Sequence, residues 1–166
     1  MQVHSKTDPA ERLDHLVRKA LPDQRGLEAW QSLLRAHASL MRQLETDLLT
    51  EAGLALADFD VLAQLAVAGG QLRMTDLAAR ALISRSGMTR RVARLADEGL
   101  VRRATPDVDG RGVVVALTDA GLARLTETAP VHLRGVAKLF VERLDDEELA
   151  VLEAALGKVT LDCSFG

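Results

Sequence analysis

Apolar residues recur every three or four positions over most of the chain, which is the spacing of one face of an α-helix. The first such segment runs from Glu11 to Leu21, where Pro22 ends it. The longest runs from Leu27 to Leu49, and Gly53 follows it. One stripe along this helix consists of Leu27, Trp30, Leu33, Leu34, His37, Met41, Leu44 and Leu48.

Three short helices and a β-hairpin are predicted in the middle of the chain. The helices are Asp58–Ala68, Leu77–Ala81 (N-cap Thr75 or Asp76) and about Arg85–Glu98 (N-cap Ser84). After Gly99 the pattern becomes extended, with aliphatic and β-branched runs at Leu100–Ala104 and Val113–Leu117. The residues between these runs, 107–112, have the composition of a turn, which completes the hairpin.

Two further helices are expected after the hairpin. Thr118 and Asp119 open the first, and Pro130 in its middle predicts a kink or a break because proline lacks a backbone N–H. Asp145 followed by Glu148 resembles a capping box, and the last helix runs to about Leu161. The stripe of the first helix is Leu122, Leu125, Leu133, Val136, Leu139 and Phe140.

Composition supports a mainly α-helical fold with a small β-hairpin wing. Apolar residues make up 48% of the chain and charged residues 27%, which excludes a wholly disordered protein. Only 2% of the residues are aromatic, which argues against a β-sandwich. No apolar run is long enough to cross a membrane, and the N-terminus lacks a secretory signal, so we expect a cytoplasmic protein without membrane contact.

Cysteine and histidine usage excludes several kinds of site. A single cysteine, Cys163, cannot form an internal disulfide or a multi-cysteine zinc site, and nothing in the sequence marks it as reactive. The histidines are scattered, with none at helical spacing to another. We therefore expect neither a metal nor a cofactor. The acidic run 145–148 is best explained as a helix N-terminal cluster, so no enzymatic activity is expected.

Charge is segregated along the chain. The net charge is −3, yet residues 73–111 contain nine arginines against five acids and carry +4, which leaves −7 for the remainder. A basic middle in an acidic frame can contact phosphate through one face while the remainder of the chain stays soluble. A chance bias along a solvated face is the alternative explanation of this segregation.

The order of short helix, turn, helix and hairpin from residue 58 to residue 118 is that of a winged helix-turn-helix. On a helical projection of residues 85–98, Met88, Val92 and Leu95 point toward the core. The opposite face carries arginine, hydroxyl and very small side chains, which suits entry into a major groove about 12 Å wide. This face comprises Ser86, Gly87, Arg90, Ala93 and Arg94.

The tip of the hairpin offers a second contact with DNA. Arg111 is placed to reach a minor groove, and Asp109 can pair with it or with Arg103 to hold its direction. Arg111 taken alone is as well explained as a solvated turn charge. Together with the helix face it predicts double-stranded DNA as the partner.

Several motifs in order resemble the MarR family of bacterial transcriptional regulators. They are Leu77-Ala78, the segment Ile83 to Leu95, Glu98-Gly99-Leu100-Val101-Arg102-Arg103, Asp109-Gly110-Arg111 and Leu117-Thr118-Asp119-Ala120-Gly121. The resemblance covers roughly residues 27–161. It implies a homodimer that reads a pseudo-palindromic operator, often as a repressor relieved by a small phenolic or lipophilic ligand.

The resemblance also implies which residues contact DNA and how the chain is divided. The implied contacts come from the recognition helix and the wing: Arg85, Ser86, Gly87, Thr89, Arg90, Arg91, Arg94 and Arg111. Gly87 and Arg91 depart from the family pattern, with Arg91 expected on the flank toward phosphate. The expected division is an N-terminal dimerisation segment 1–56, the winged unit 57–118 and C-terminal dimerisation helices 119–166.

Dimerisation and ligand binding follow from further arguments. A single recognition helix reads too few base pairs to find one genomic site, and the apolar stripes of residues 13–21, 122–140 and 149–161 offer an interface, unless they are only intramolecular core. The candidate residues for an aromatic or lipophilic ligand are Trp30, His37, Met41 and Phe59.

The alternative function is a winged-helix protein-interaction module, which Arg90 and Arg94 on the open face disfavour.

Overall fold

The structure of the chain, a computed structural model, describes residues 8–21, 24–81, 83–104 and 112–161. This part is mainly α-helical with one small β-sheet, as the sequence predicts. The elements follow in the order α1 (Pro9–Ala20), α2 (Gln24–Ala52), α3 (Leu56–Val67), β1 (Gln71–Arg73), α4 (Met74–Arg80), α5 (Arg85–Asp97), β2 (Val101–Ala104), β3 (Val114–Leu117), α6 (Asp119–Leu139), a 3-10 turn (Val141–Arg143) and α7 (Asp146–Leu161).

The chain divides into two compact units, residues 1–40 and residues 41–166. In the first unit the described residues form α1 and the beginning of α2, and none of them is buried. Leu16 and Trp30 expose 60% and 54% of their surfaces, although both lie at apolar positions of amphipathic helices. None of the helices in the described ranges is long and apolar enough to cross a membrane.

The second unit contains the hydrophobic core, and the core surrounds the helix-turn-helix elements. Side chains from α2 to α5 and from β3 meet there. Helix α5 is therefore held in place by the buried residues on its inner side. The fully buried large side chains include Leu48, Leu62, Leu65, Leu77, Met88, Val92, Leu95 and Val115. Met88, Val92 and Leu95 are the three positions that the helical projection placed inward, and that prediction is confirmed.

The N-termini of α5, α6 and α7 follow from local capping chemistry. The Ser84 hydroxyl accepts a hydrogen bond from the Gly87 amide at 3.2 Å, and the Thr118 hydroxyl accepts one from the Gly121 amide at 3.0 Å. Asp145 and Glu148 form the predicted capping box through reciprocal bonds of 2.8 and 3.0 Å. These three predicted N-termini are confirmed.

The predicted start of α4 is wrong. Neither Thr75 nor Asp76 is its N-cap, because the helix begins at Met74 and Arg73 occupies the N-cap position. The Met74 amide instead donates to the Val113 carbonyl at 2.8 Å, which joins the helix start to the residue before β3. A sequence pattern cannot show this backbone bond, because the two residues are far apart in the chain.

The sheet has three antiparallel strands in the order β1-β3-β2. The predicted hairpin is present, with Val101 opposite Leu117 and Ala104 opposite Val114. Strand β1 was missed, since a three-residue strand between a glycine pair and a helix carries too little alternation to be recognised. Residues 105–111, which include the predicted tip of the hairpin, lie outside the described part of the chain.

Helix α6 runs without a break through Pro130, so of the two outcomes predicted there, a kink or a break, the break is wrong. Pro130 is exposed, and so is Thr126, whose carbonyl loses its helical partner; water can satisfy that carbonyl. Two glycines of α6, Gly121 and Gly135, lie where a Cβ atom would collide with neighbouring elements. Close packing on both sides of the proline therefore keeps the helix continuous.

Candidate nucleic-acid interface

The proposed recognition helix, α5, presents an outer face of small and cationic side chains. Arg85, Ser86, Thr89 and Arg90 are exposed on it. The Thr89 hydroxyl donates to the Arg85 carbonyl at 2.9 Å, which holds this hydroxyl against the helix. Because the three inward residues are fully buried, the outer residues are presented from a helix that cannot rotate without breaking the core.

Gly87 lies on this face at a position with little room for a side chain. A Cβ atom there would approach Ile83 Cγ2 to 3.0 Å and the Ser84 hydroxyl to 3.1 Å. A shallow cavity of about 290 Å³ opens beside it, lined by Ile83, Gly87, Arg90, Arg91 and Arg94. Its three arginines make it a suitable position for phosphate or for a base edge with acceptor atoms.

Asp58 organises two of these arginines and was missed as a functional residue. It lies on α3 and is 1% exposed. Its carboxylate accepts hydrogen bonds from Arg91 Nη1 at 2.6 Å and from Arg94 Nη2 at 2.6 and 2.7 Å. The bond to Asp58 raises the pKa of Arg94, so its charge is kept under all ordinary conditions.

The structure therefore adds a contact with Asp58 to the predicted positions of Arg91 and Arg94. Arg91 was expected on the flank toward phosphate, yet its side chain is only 26% exposed and one edge faces Asp58. Arg94 remains 52% exposed, with Nη1 lying 3.7 Å from the Glu98 carboxylate. The signal in the sequence was an aspartate on an otherwise apolar helix face, one turn before Val61 and Leu62.

The wing is described only near its base. Arg103 on β2 donates to the Thr89 carbonyl of α5 at 3.5 Å, which connects the wing to the recognition helix. Asp109 and Arg111 lie outside the described residues, so the proposed pairing of Asp109 with Arg103 or Arg111 stays a prediction.

The four candidate ligand residues differ in their surroundings. Trp30 and His37 are exposed within the first unit. In the second unit Met41 is 37% exposed, whereas Phe59 is buried and packs against the His132 ring with centroids 4.5 Å apart. Burial lowers the pKa of His132, and its Nδ1 is a buried atom without a hydrogen-bond partner among the described residues.

A larger cavity of the second unit lies elsewhere. It has a volume of about 650 Å³ and lies between α2 and α6, with Gln43, Asp47, Glu51, Arg134 and Lys138 among its lining residues. The pair Arg134–Glu51, at 2.6 Å, crosses it. Among the described residues, no group of three or more histidine, cysteine, aspartate or glutamate side chains is arranged to hold a metal ion.

Comparison with known proteins agrees with this geometry. A model of the MarR family matches residues 52–112. The fold is similar to that of AbsC, a MarR family transcriptional regulator from Streptomyces coelicolor, with 32% identity, a TM-score of 0.78, and coverage of 85% of this chain and 95% of AbsC. It is also similar to Sco3205, a MarR family regulator of the same organism whose structure contains DNA, with 32% identity, a TM-score of 0.80, and coverage of 87% and 94%.

A relative known from its sequence gives the same result. An HTH-type transcriptional regulator of Bacillus cereus strain ATCC 14579 is 29% identical over 130 residues. The match covers 78% of this chain and 85% of that protein, so it extends well beyond the helix-turn-helix.

Proposed function

This chain belongs to the MarR family and is a DNA-binding transcriptional regulator, and from that premise we propose that it is a homodimeric repressor whose operator is pseudo-palindromic. It is not an enzyme, since its relatives are regulators of transcription. The observation that carries the proposal is the outer face of α5, where Arg85, Ser86 and Arg90 are exposed above a fully buried inner side.

The proposed contacts divide between base reading and phosphate binding. Arg90 is assigned to a base edge, because an arginine forms two parallel hydrogen bonds with guanine O6 and N7. Ser86 and the amides of the first turn are assigned to phosphate, which helix N-termini favour. The proposed DNA surface also includes Arg85, Gly87, Thr89, Arg91, Arg94 and Arg111, and Asp109 and Arg103 are proposed to support the wing.

The dimer is proposed because large apolar side chains are exposed outside the winged unit. Leu13 and Leu16 of α1, Leu133 of α6 and Val151 of α7 are each at least 60% exposed. Such side chains leave water when two copies associate, at about 25 cal/mol for each Å² of apolar surface buried. In this proposal residues 1–56 and 119–166 form the dimer and residues 57–118 bind DNA.

A small aromatic or lipophilic ligand is proposed to relieve repression by changing the separation of the two recognition helices. Trp30, His37, Met41 and Phe59 remain the candidate contacts. Trp30 is the only tryptophan of the chain, so its fluorescence reports directly on binding. Titration with a panel of phenolic acids should quench this emission and weaken operator binding together; binding with unchanged operator affinity would contradict the proposed mechanism.

The function is tested by fluorescence anisotropy with a duplex from upstream of the gene. Binding is compared with a scrambled duplex at two salt concentrations. Tight, selective and salt-dependent binding by two protomers per site is expected. If the protein lacks even non-specific affinity for DNA, the family's usual activity is absent here and a protein-interaction module becomes the better explanation.

A further inference from the structure

A buried carboxylate, that of Asp58, lies under the recognition helix α5. Asp58 is 1% exposed, and an ionised carboxylate in such a position is costly unless hydrogen-bonded cations compensate it. Three hydrogen bonds from Arg91 and Arg94 supply that compensation. The three residues therefore form a single charged unit that joins α3 to α5.

The two arginines of this unit differ in how far their side chains are exposed. Arg91 is mostly enclosed, and its Nε is a buried atom without a hydrogen-bond partner among the described residues. Arg94 is bound to Asp58 through Nη2 alone, and half of its side chain remains exposed. One edge of the Arg94 guanidinium is thus fixed from below, its Nη1 lies 3.7 Å from the Glu98 carboxylate, and the exposed half of the side chain lines the cavity beside Gly87.

We propose that Asp58 is a positioning residue for DNA recognition: it holds the Arg94 guanidinium in the orientation that reads a base edge, and it keeps Arg91 from adding indiscriminate phosphate affinity. The inference rests on the proposed function. An unrestrained arginine loses rotamer freedom when it is ordered on DNA, and a guanidinium already held by a carboxylate loses less. The buried carboxylate therefore increases selectivity while it reduces net positive charge.

The test is the variant Asp58→Asn, which has nearly the same shape but no charge. Affinity for the operator should fall by about 5- to 150-fold per half-site, the value of one bidentate base contact. Affinity for scrambled DNA should rise, and its salt dependence should steepen by about 0.9 for each phosphate that a released arginine neutralises. A purely structural role cannot produce this result, because partial unfolding lowers binding to both duplexes.

Asp60→Asn is the matched control. Asp60 lies on the same helix, and its replacement also removes one negative charge, but its carboxylate accepts a hydrogen bond from Gln64 Nε2 rather than from an arginine. The ratio of operator to scrambled affinity should remain that of the unchanged protein. An equal loss of this ratio in both variants would overturn the proposal.

A double-mutant cycle shows whether Asp58 acts through Arg94. In an Arg94→Gln background, Asp58→Asn should cause no further loss of selectivity. Arg94→Lys keeps the charge but not the planar fork, so it should lose selectivity and retain the salt dependence; this variant decides the matter if Asp58→Asn does not fold. Selective operator binding by Arg94→Lys at the level of the unchanged protein would refute the proposal, whereas absence of selective binding by the unchanged protein would refute the proposed function itself.

Discussion

The contact between α6 and the base of the wing has no room for a side chain at Gly121. A Cβ atom at this position would lie 2.0 Å from the Leu100 carbonyl oxygen and 2.8 Å from Leu117 Cδ1. The nearest atom belongs to the backbone, so it cannot move aside as the end of a flexible side chain can. The same carbonyl accepts hydrogen bonds from the Thr118 amide at 3.2 Å and from its hydroxyl at 3.0 Å. Gly121→Ala must therefore displace the start of α6.

Two opposing effects decide the magnitude of the loss. Alanine is favoured over glycine inside a helix by about 1 kcal/mol. Against this, overpacking of this kind costs about 1–3 kcal/mol, and each weakened hydrogen bond of Thr118 costs about 0.5–1.5 kcal/mol. We expect a net loss of about 2–3 kcal/mol, which lowers Tm by roughly 5–10 °C for a chain of this length.

Gly157→Ala is the matched control, because no atom lies within 4 Å of a Cβ built on Gly157 in α7. Only the propensity effect remains there, so this variant should be stabilised by about 0.5–1 kcal/mol. Urea unfolding followed by circular dichroism measures both variants at one protomer concentration, since association changes apparent stability. If Gly121→Ala proves as stable as Gly157→Ala, the close approach of α6 to the wing is not real.

Three further predictions concern α5 and α6. Arg90→Ala should weaken operator binding by about 1–3 kcal/mol per half-site and relax base preference, while Lys138→Ala, outside the winged unit, should change anisotropy titrations little. Ser84→Ala removes the N-cap bond to the Gly87 amide and should lower the free energy of unfolding by about 0.5–2 kcal/mol in urea titrations; an unchanged midpoint would show that the cap is not used. Burial lowers the pKa of His132 below its ordinary value of 6.5, although Asp60 opposes this, so the unfolded chain takes up a proton at a higher pH than the folded chain. Stability should therefore fall as the pH drops from 6.5 toward the folded pKa, and His132→Gln should remove this part of the pH dependence of unfolding.

Local signals in the sequence predict those boundaries of the fold that local chemistry sets. Ser84, Thr118 and the pair Asp145–Glu148 each bond an amide three residues away, so their spacing alone identifies them. The inward face of α5 can also be predicted from the sequence, since the helical period places Met88, Val92 and Leu95 on one side.

The errors have the opposite origin, because each depends on a neighbour distant in the chain. Strand β1 exists because Leu72 pairs with Val115, and α4 begins early because Met74 bonds to Val113. Asp58 is separated by 33 residues from Arg91, so its role depends on the packing of α3 against α5. A periodic pattern carries no information on such contacts.

The buried carboxylate and the uneven charge distribution of the chain affect DNA binding in the same direction. Non-specific affinity grows with every phosphate that is neutralised, and a genome offers millions of competing sites, so excess positive charge reduces effective selectivity. Residues 73–111 carry +4, while the remainder of the chain carries −7. Asp58 belongs to that acidic remainder and contacts the basic segment directly, where it compensates two arginines of the recognition helix. A regulator built in this way limits general attraction to DNA and depends more strongly on the few side chains that read bases. Removal of the single buried negative charge of Asp58 should therefore weaken operator binding as much as removal of an exposed arginine that reads a base.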